Sequence, residues 1–326
     1  MYRLRLFFTI ILAATGYLPY AVRAQAQSFP NKPIRLLVPF SAGSTSDILA
    51  RLVGQKFTAV WGQQVVIDNR AGAGGVIASQ TLATANADGH TLILVSASHA
   101  IAPALYKNLP YHIATDFAGV SLVADVSNLL VVNNALGAKT VKDLIAIAKN
   151  KPGQLNFSSS GIGAGTHLSA ELFKSLAGIN TEHVPFKGVP ESITETITGR
   201  VHYSFPPISN ALPFVRDGKI RALSISGKKR SAQLPEIPTI AEAALPQYAF
   251  TTWYAMLAPA KTPRPVMEKL SAQVKHALEA SDTAAMLAKL SIDPVSTTPG
   301  ATDAFVKAEH AKFVKLVREA GITVQQ

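Results

Sequence analysis

The sequence predicts an α/β protein of two lobes, each a sheet flanked by helices, with a cleft between them. Two observations carry this. Short apolar runs of strand character alternate with segments of helical periodicity through most of the 326-residue chain, which is the pattern of α/β folds with parallel sheets. A unit of strand, glycine- and hydroxyl-rich loop and helix start runs from Ile34 to Trp61 and is rebuilt from Leu155 to Leu176. With an N-terminal leader set aside, about 300 residues remain, enough for two domains with cores of their own.

The leader is expected over residues 1–26. Arg3 and Arg5 give a positive start, Leu6 to Leu18 an apolar run, and Ala24-Gln25-Ala26 a small-x-small cleavage site, so a secretory signal cut near Ala24 or Ala26 and export to the periplasm follow. The apolar run is shorter than the roughly 18 residues that a membrane span needs. No twin-arginine pair precedes it, which points to the general secretion route. The chain has no cysteine, which excludes a disulfide scaffold, a thiolate metal site, a cysteine nucleophile and a lipidated N-terminal cysteine. Formal charge is +11, and losing Arg3, Arg5 and Arg23 with the leader lowers it by three to +8. Nucleic-acid binding is not expected, because Lys228-Lys229-Arg230 is the only tight basic cluster and that function needs a clustered footprint. Meeting anionic solutes is a better use of the charge.

In chain order, Ile34 to Phe40 reads as the first buried strand. The loop Ser41-Ala42-Gly43-Ser44-Thr45-Ser46-Asp47 follows, with Asp47 as the expected N-cap. A helix then carries Ile48, Leu52, Val53, Phe57, Val60 and Trp61 at helical spacing. Val65 to Asp68 is a strand, Ala71 to Gly75 a glycine-rich turn and Val76 to Ala85 a helix. Thr91 to Val95 is a strand that empties into Ser96-Ala97-Ser98-His99. The second block has strands at Leu129 to Val132 and Leu155 to Ser158, with a capping-box pattern at Thr140 to Asp143 between them. The loop Ser159 to His167 and a helix through Leu168, Leu172, Phe173 and Leu176 repeat the first unit. Strands at Glu182 to Phe186, Val201 to Phe205, Ile220 to Ser226 and Tyr248 to Ala258 are separated by short helices at Glu191 to Thr198 and Leu212 to Asp217. Pro265 to Leu290 and Ala301 to Ala320 read as helical. This assigns lobe 1 to residues 27–124 plus 228–326 and lobe 2 to 125–227, with hinges near Ala124-Asp125 and Ser226-Gly227.

The chemistry is expected where the two units face each other, since ligands bind beyond the C-terminal ends of parallel strands. A helix start offers free N–H groups and the positive end of its dipole, which suits an anion. Glycines let a ligand approach the backbone, and hydroxyls donate or accept. Two such loops could hold a molecule with an anionic group at each end, although glycine and serine also serve simply as turn formers.

Other chemistries find no support. Gly72-Ala73-Gly74-Gly75 and Gly161-Ile162-Gly163 lack the third glycine of a dinucleotide loop, since Ile77 and Thr166 stand there, and no P-loop motif occurs. Ser160-Gly161 lacks the upstream glycine of a nucleophile elbow, and Ser226 to Lys229 matches a Ser-x-x-Lys fragment without its partner motifs. The histidines show no metal-ligand spacing. No cofactor and no enzymatic activity are expected. His167, at a helix start in the second loop, either lines the cleft or caps and packs. Trp61 and Trp253 are expected in the core, whereas Phe40 and Phe186, at strand ends, could wall a pocket.

Several segments together resemble the Bug-type receptors of tripartite tricarboxylate transporters: Pro30 to Phe40 with the loop to Asp47, Asp68 to Gly75, Ala87 to Leu92, Ser159 to Leu168, His183 to Gly188, Pro238 to Ala243, and Trp253 to Pro259. They cover nearly the whole mature chain in order. The resemblance implies a two-lobed periplasmic binding protein (type II-like) that closes on a di- or tricarboxylate, acidic amino acid or aromatic carboxylate and delivers it to membrane permease subunits; a monomer is expected, although the sequence itself does not set the oligomeric state. It implies that Phe40, Ser41, Gly43, Ser44, Thr45 and Asp47 bind one end of the ligand. Ser160, Gly161, Gly163, Ala164, Gly165, Thr166 and His167 would bind the other. Gly72, Ala73, Gly74, Gly75, Ser98, His99, Phe186, Lys187 and Gly188 would complete the cleft. Two departures matter. Gly43-Ser44 stands where the family commonly has two glycines, adding a hydroxyl. Phe205-Pro206-Pro207 stands where it often has Phe-Asp-Asn, which removes an acceptor for a ligand ammonium and places Pro206 at the site. A ligand without a free amine is therefore expected. A sensor that signals to a membrane partner would use the same closed form, and an exported hydrolase lacks its motifs.

Overall fold

The structure is a computed structural model that describes residues 29–319; the expected leader lies outside them. Lobe 1 begins with β1 (Ile34–Val38), α1 (Thr45–Trp61), β2 (Val65–Asn69), α2 (Val76–Ala83), β3 (Thr91–Ser96), α3 (Ser98–Leu105) and β4 (Phe117–Ser127). Lobe 2 follows with β5 (Leu129–Val132), α4 (Val141–Asn150), β6 (Asn156–Ser159), α5 (Gly165–Ala177), β7 (Glu182–Pro185), α6 (Val189–Ile197), β8 (Tyr203–Ser204), α7 (Ile208–Arg216), β9 (Arg221–Ile225) and α8 (Ile240–Ala243). The chain then returns through β10 (Thr251–Pro259), α9 (Arg264–Glu279), α10 (Ser281–Lys289), β11 (Asp293–Pro294) and α11 (Pro299–Glu319).

Lobe 1 has a six-stranded sheet ordered β11-β4-β10-β3-β1-β2, and lobe 2 a five-stranded sheet ordered β7-β6-β8-β5-β9. Both are mixed rather than purely parallel. β1 runs parallel to β2 and β3, but β10 is antiparallel to β3 and β4, and β5 is antiparallel to β8 and β9. β1 is buried at four of five positions because helices cover both faces of the sheet. Ser44, not Asp47, caps α1: Ser44 is extended and its Oγ accepts the Asp47 N–H at 3.3 Å. Its core face is Leu49, Ala50, Val53 and Phe57, while Val60, expected inside, is 52 % exposed. Gly62 ends the helix in the left-handed conformation at φ 68°. The capping box at Thr140 and Asp143 forms as expected.

Three features went unread in the sequence. β4 is an eleven-residue strand, Ser98 and His99 open a helix rather than a loop, and the C-terminal helix breaks at Ala280, whose φ −59° and ψ 131° are extended. The chain passes between lobes at Ser127–Asn128, Ser226–Gly227 and Phe250–Thr251, where Ser226 ties the three together. Its N–H donates to Asn128 O at 2.9 Å, its Oγ accepts from Asn128 N–H at 2.8 Å and donates to Phe250 O at 2.7 Å. Ala124-Asp125, expected as a hinge, sits inside β4 and pairs with β10 and β11. Residues 228–250 ride on the second sheet, not the first: Ile225 N–H donates to Pro238 O, and Thr239 bridges Ile225.

Candidate ligand site between the lobes

β1 and β6 end at the seam between the lobes, and each hands the chain through its loop to a helix start. A cavity of about 20 Å³ lies there, lined from lobe 1 by Phe40, Ser44, Thr45, Ser46, Ser96, Thr252 and Tyr254 and from lobe 2 by Ser160, Gly165, Thr166, Val189 and Pro207. That is room for little more than one water molecule, so a larger solute enters only when the lobes part and is held only with the lining moved outward around it. The lining carries hydroxyls and apolar walls but no Asp, Glu, Lys, Arg or His side chain. Electropositive character comes instead from the starts of α1 and α5, whose first amides have no acceptor within the helix. α5 has no side-chain cap at its N-terminus. Beside it, Thr252 Oγ1 is buried without a hydrogen-bond partner, and a Cβ on Gly165 would lie 2.6 Å from that oxygen.

The lobes are joined directly across the seam. Thr45 Oγ1 donates to Asn210 Oδ1 at 2.6 Å and lies 2.9 Å from Ser209 Oγ, and Asn210 Nδ2 donates to Gly43 O at 2.7 Å. Ser41 Oγ donates to Glu191 Oε2 at 3.0 Å. Gly188, N-cap of α6, packs so close to Ser41 that a Cβ would overlap its hydroxyl. Gly74 meets the Ile162 carbonyl.

Of the residues singled out in the sequence, Phe40, Ser44, Thr45, Ser160, Gly165 and Thr166 border the cavity, and Ser41, Gly43, Gly74 and Gly188 meet the opposite lobe. Asp47 lies beneath the first loop, where its carboxylate accepts from Gly43 N–H, Asn69 Nδ2 and Arg51 Nε. Burial alone would raise its pKa, but those donors outweigh it and hold the carboxyl below its usual range. Gly72, Ala73 and Gly75 shape a tight turn, with Gly75 against Pro39 and Ser98. Ser98 bonds Ser96 at 3.1 Å.

Gly161 and Gly163 adopt positive φ of 127° and 77°, and Ala164 caps α5. Phe186 N–H is anchored on Ser159 O, Lys187 is exposed, and the Pro206 carbonyl accepts Leu129 N–H while Pro207 supplies the wall. His99 turns into the core, stacked on Tyr111 and edge-on to Phe117, and burial followed by the charge of His310 lowers its pKa to about 4. His167 is buried behind the second loop. Ser46, Ser96, Val189, Pro207, Thr252, Tyr254, Ser209 and Asn210 were missed. Ser46 was legible as part of the first loop and Pro207 as the neighbour of Pro206; the others come together only through the tertiary fold.

One pair has nucleophile–base spacing: Ser159 Oγ lies 2.6 Å from His183 Nε2. Ser159 is fully buried and its Oγ is already bonded to the Gly161 backbone, so it faces no substrate. Among the described residues, no group of three or more His, Cys, Asp or Glu is placed to hold a metal ion, and no helix is long and apolar enough to cross a membrane.

Comparison with known proteins agrees with this architecture. Protein BugT of Bordetella pertussis is 33 % identical over 323 residues, covering 98 % of each chain. A protein encoded between tcbD and tcbE in Pseudomonas sp. strain P51 is 35 % identical over 325 residues, 99 % of this chain and 96 % of the other. Among solved structures, an R. palustris protein with adipate superposes at TM-score 0.88 with 35 % identity, over 90 % of this chain and 99 % of that one. MatC from Rhodopseudomonas palustris with bound malate superposes at 0.83 with 31 % identity, over 89 % and 100 %. The periplasmic binding protein BugD superposes at 0.88 with 28 % identity, over 91 % and 100 %. Residues 49–322 match the family described as tripartite tricarboxylate transporter family receptor, and the chain belongs to that family.

Proposed function

We propose that this chain is the periplasmic receptor of a tripartite transporter, capturing a small dicarboxylate that has no free amine and handing it to membrane permease subunits. The observation that carries the reading is the pair of helix starts, Ser44–Ser46 on α1 and Gly165–Thr166 on α5, which meet at one cavity from opposite lobes. Each offers amide N–H groups to one carboxylate, while Phe40, Val189 and Pro207 supply an apolar wall for what lies between. An ammonium group would find no ionised acceptor in the lining, and Asp47 is already held by Arg51 and Asn69. The binding of adipate and malate by structural relatives supports the class. On this reading the protein acts on no bond of its ligand. It works as a monomer, with its leader removed, and closes by the differential affinity of the ligand for the shut form.

Calorimetry of the mature protein with adipate, malate, glutamate and glucose tests this. Adipate or malate should bind and glutamate should not. Binding of glutamate as tight as that of adipate would overturn the amine-free assignment, and binding of glucose alone would overturn the carboxylate assignment.

A further inference from the structure

Behind the lobe 2 loop, three aromatic rings stack: Phe157 of β6, His183 of β7 and His167 in the first turn of α5. The two imidazole centroids are 4.0 Å apart with planes 16° from parallel, and His183 lies 4.8 Å from Phe157. Their nitrogens reach opposite ends of residues 159–163. Gly163 N–H donates to His167 Nδ1 at 3.2 Å. At the other end, Ser159 Oγ donates to Gly161 O and accepts from Gly161 N–H, both at 3.1 Å, and contacts His183 Nε2 at 2.6 Å. With the one Ser159 proton directed at Gly161 O, His183 completes the set by donating from Nε2.

The loop so fastened lies at the seam. The Ile162 carbonyl abuts Gly74 of lobe 1, and Gly163 packs on Leu105 and Ile101 of α3. The next residues, Gly165 and Thr166, border the cavity.

We infer that the stacked pair His167 and His183 positions the lobe 2 ligand loop, each imidazole fixing one end of residues 159–163 so that the start of α5 is presented to the ligand. This rests on the carboxylate site proposed above. His167 works only in its neutral form, because a proton on its Nδ1 would face the Gly163 N–H, donor against donor, whereas His183 donates from Nε2 in either form. The surroundings keep both rings neutral. Burial first, then His183 and Lys174, lower the pKa of His167 to about 3, and burial first, then Lys174, lowers that of His183 to about 4. The charged groups beside the pair are Lys174 and Glu171 on α5, and Tyr203 on β8 reaches the stack through Phe157, with ring centroids 5.6 Å apart. Glu171 Oε1 lies 3.7 Å from His167 Nε2 and 3.0 Å from Lys174 Nζ, so its closer ion pair is with the lysine.

The test uses His167→Phe, which keeps a flat buried ring but has no acceptor, and His167→Asn, whose Oδ1 can occupy the Nδ1 position without titrating. In ligand-free protein, Gly163 amide exchange should accelerate about 10-fold in His167→Phe, and adipate affinity by calorimetry should fall by about the same factor. His167→Asn should restore both. Nitrogen NMR of the wild-type protein at pH 7 should find His167 Nδ1 unprotonated, a readout that needs no variant to fold. A protonated Nδ1, wild-type protection of Gly163 in His167→Phe, or failure of Asn to restore it would each overturn the inference. If wild-type protein does not bind adipate, it is the carboxylate reading that fails, and Gly163 exchange still decides the role of the pair.

Discussion

Thr45 and Asn210 face each other across the seam and exchange groups with both sides of it. The Thr45 hydroxyl, on the first residue of α1, donates to Asn210 Oδ1 at 2.6 Å, and Asn210 Nδ2 answers to the Gly43 carbonyl at 2.7 Å. Asn210 belongs to α7 of lobe 2, so Thr45, which opens α1 and borders the cavity, is also a point where the lobes are held together.

Removing that clasp should shift the protein towards open forms. Two hydrogen bonds at about 0.5–1.5 kcal/mol each put the loss for Asn210→Ala near 1–3 kcal/mol, enough to lower apparent ligand affinity by up to roughly 5- to 150-fold if only the closed form binds tightly. Solution scattering of ligand-free Asn210→Ala should give a larger radius of gyration, with little change in urea stability. Scattering and affinity equal to wild type would show that the clasp contributes nothing to closure.

Thr252 gives a prediction with opposite signs in two assays. Its hydroxyl is buried, borders the cavity and has no partner, a situation that costs stability unless a ligand supplies one. Thr252→Val keeps the shape, so the ligand-free protein should be unchanged or stabilised by up to about 1–2 kcal/mol in urea titration. Ligand affinity should fall about 3- to 10-fold by calorimetry. Unchanged affinity would mean that the hydroxyl does not reach the ligand.

The parts of this site that could be read in the sequence are those whose signal is local. The loop from Ser41 to Asp47 and the loop from Ser159 to His167 announce themselves by small residues between an apolar run and a helical period, and both meet at the seam. Assigning the cap to Asp47 failed because Ser44 sits three residues earlier, and the carboxylate serves Gly43, Asn69 and Arg51 instead. Thr252, Ser209 and Asn210 carry no local mark. They reach the site only because β10 returns to lie between β3 and β4 and α7 packs over the start of α1, relations between segments more than 100 residues apart. β4 was overlooked because the polar Ser121 and Asp125 break up its apolar run in the sequence, although Ser121 is fully buried in the fold. His99 and His167 both sat in legible loops, yet their rings turn inward, which residue spacing does not reveal.

The buried histidines set the response to acid. His99, His167 and His183 have pKa values lowered to about 4, about 3 and about 4, below the ordinary 6.5. Above pH 6.5 both folded and unfolded chains carry them neutral, so they contribute no slope. As pH falls below 6.5 the unfolded chain takes up protons that the folded one refuses, and stability declines by up to about 1.4 kcal/mol per pH unit for each histidine until the folded values are reached. Asp47, held below 3.8, adds its loss only at still lower pH. Urea titrations at pH 7.5, 6 and 5 should therefore show stability already falling between the last two. A flat profile would mean that these rings titrate near 6.5 in the folded protein.

Gly74 offers a way to hold the lobes apart. Its φ is 61°, and a Cβ there would lie 2.2 Å from the Ile162 carbonyl oxygen of lobe 2, a backbone atom that cannot rotate away as a side chain would. Within lobe 1 the left-handed backbone costs alanine only about 1–2 kcal/mol, so Gly74→Ala should still fold. It cannot close as the wild type does, because the two backbones would have to separate by about 1 Å to reach ordinary contact. Apparent affinity should drop at least about 10-fold, the radius of gyration should no longer shrink when ligand is added, and the urea midpoint should move by no more than the backbone cost implies. Wild-type affinity in this variant would show that ligand binding does not require Gly74 and Ile162 to meet, and that the closed seam is not the liganded form.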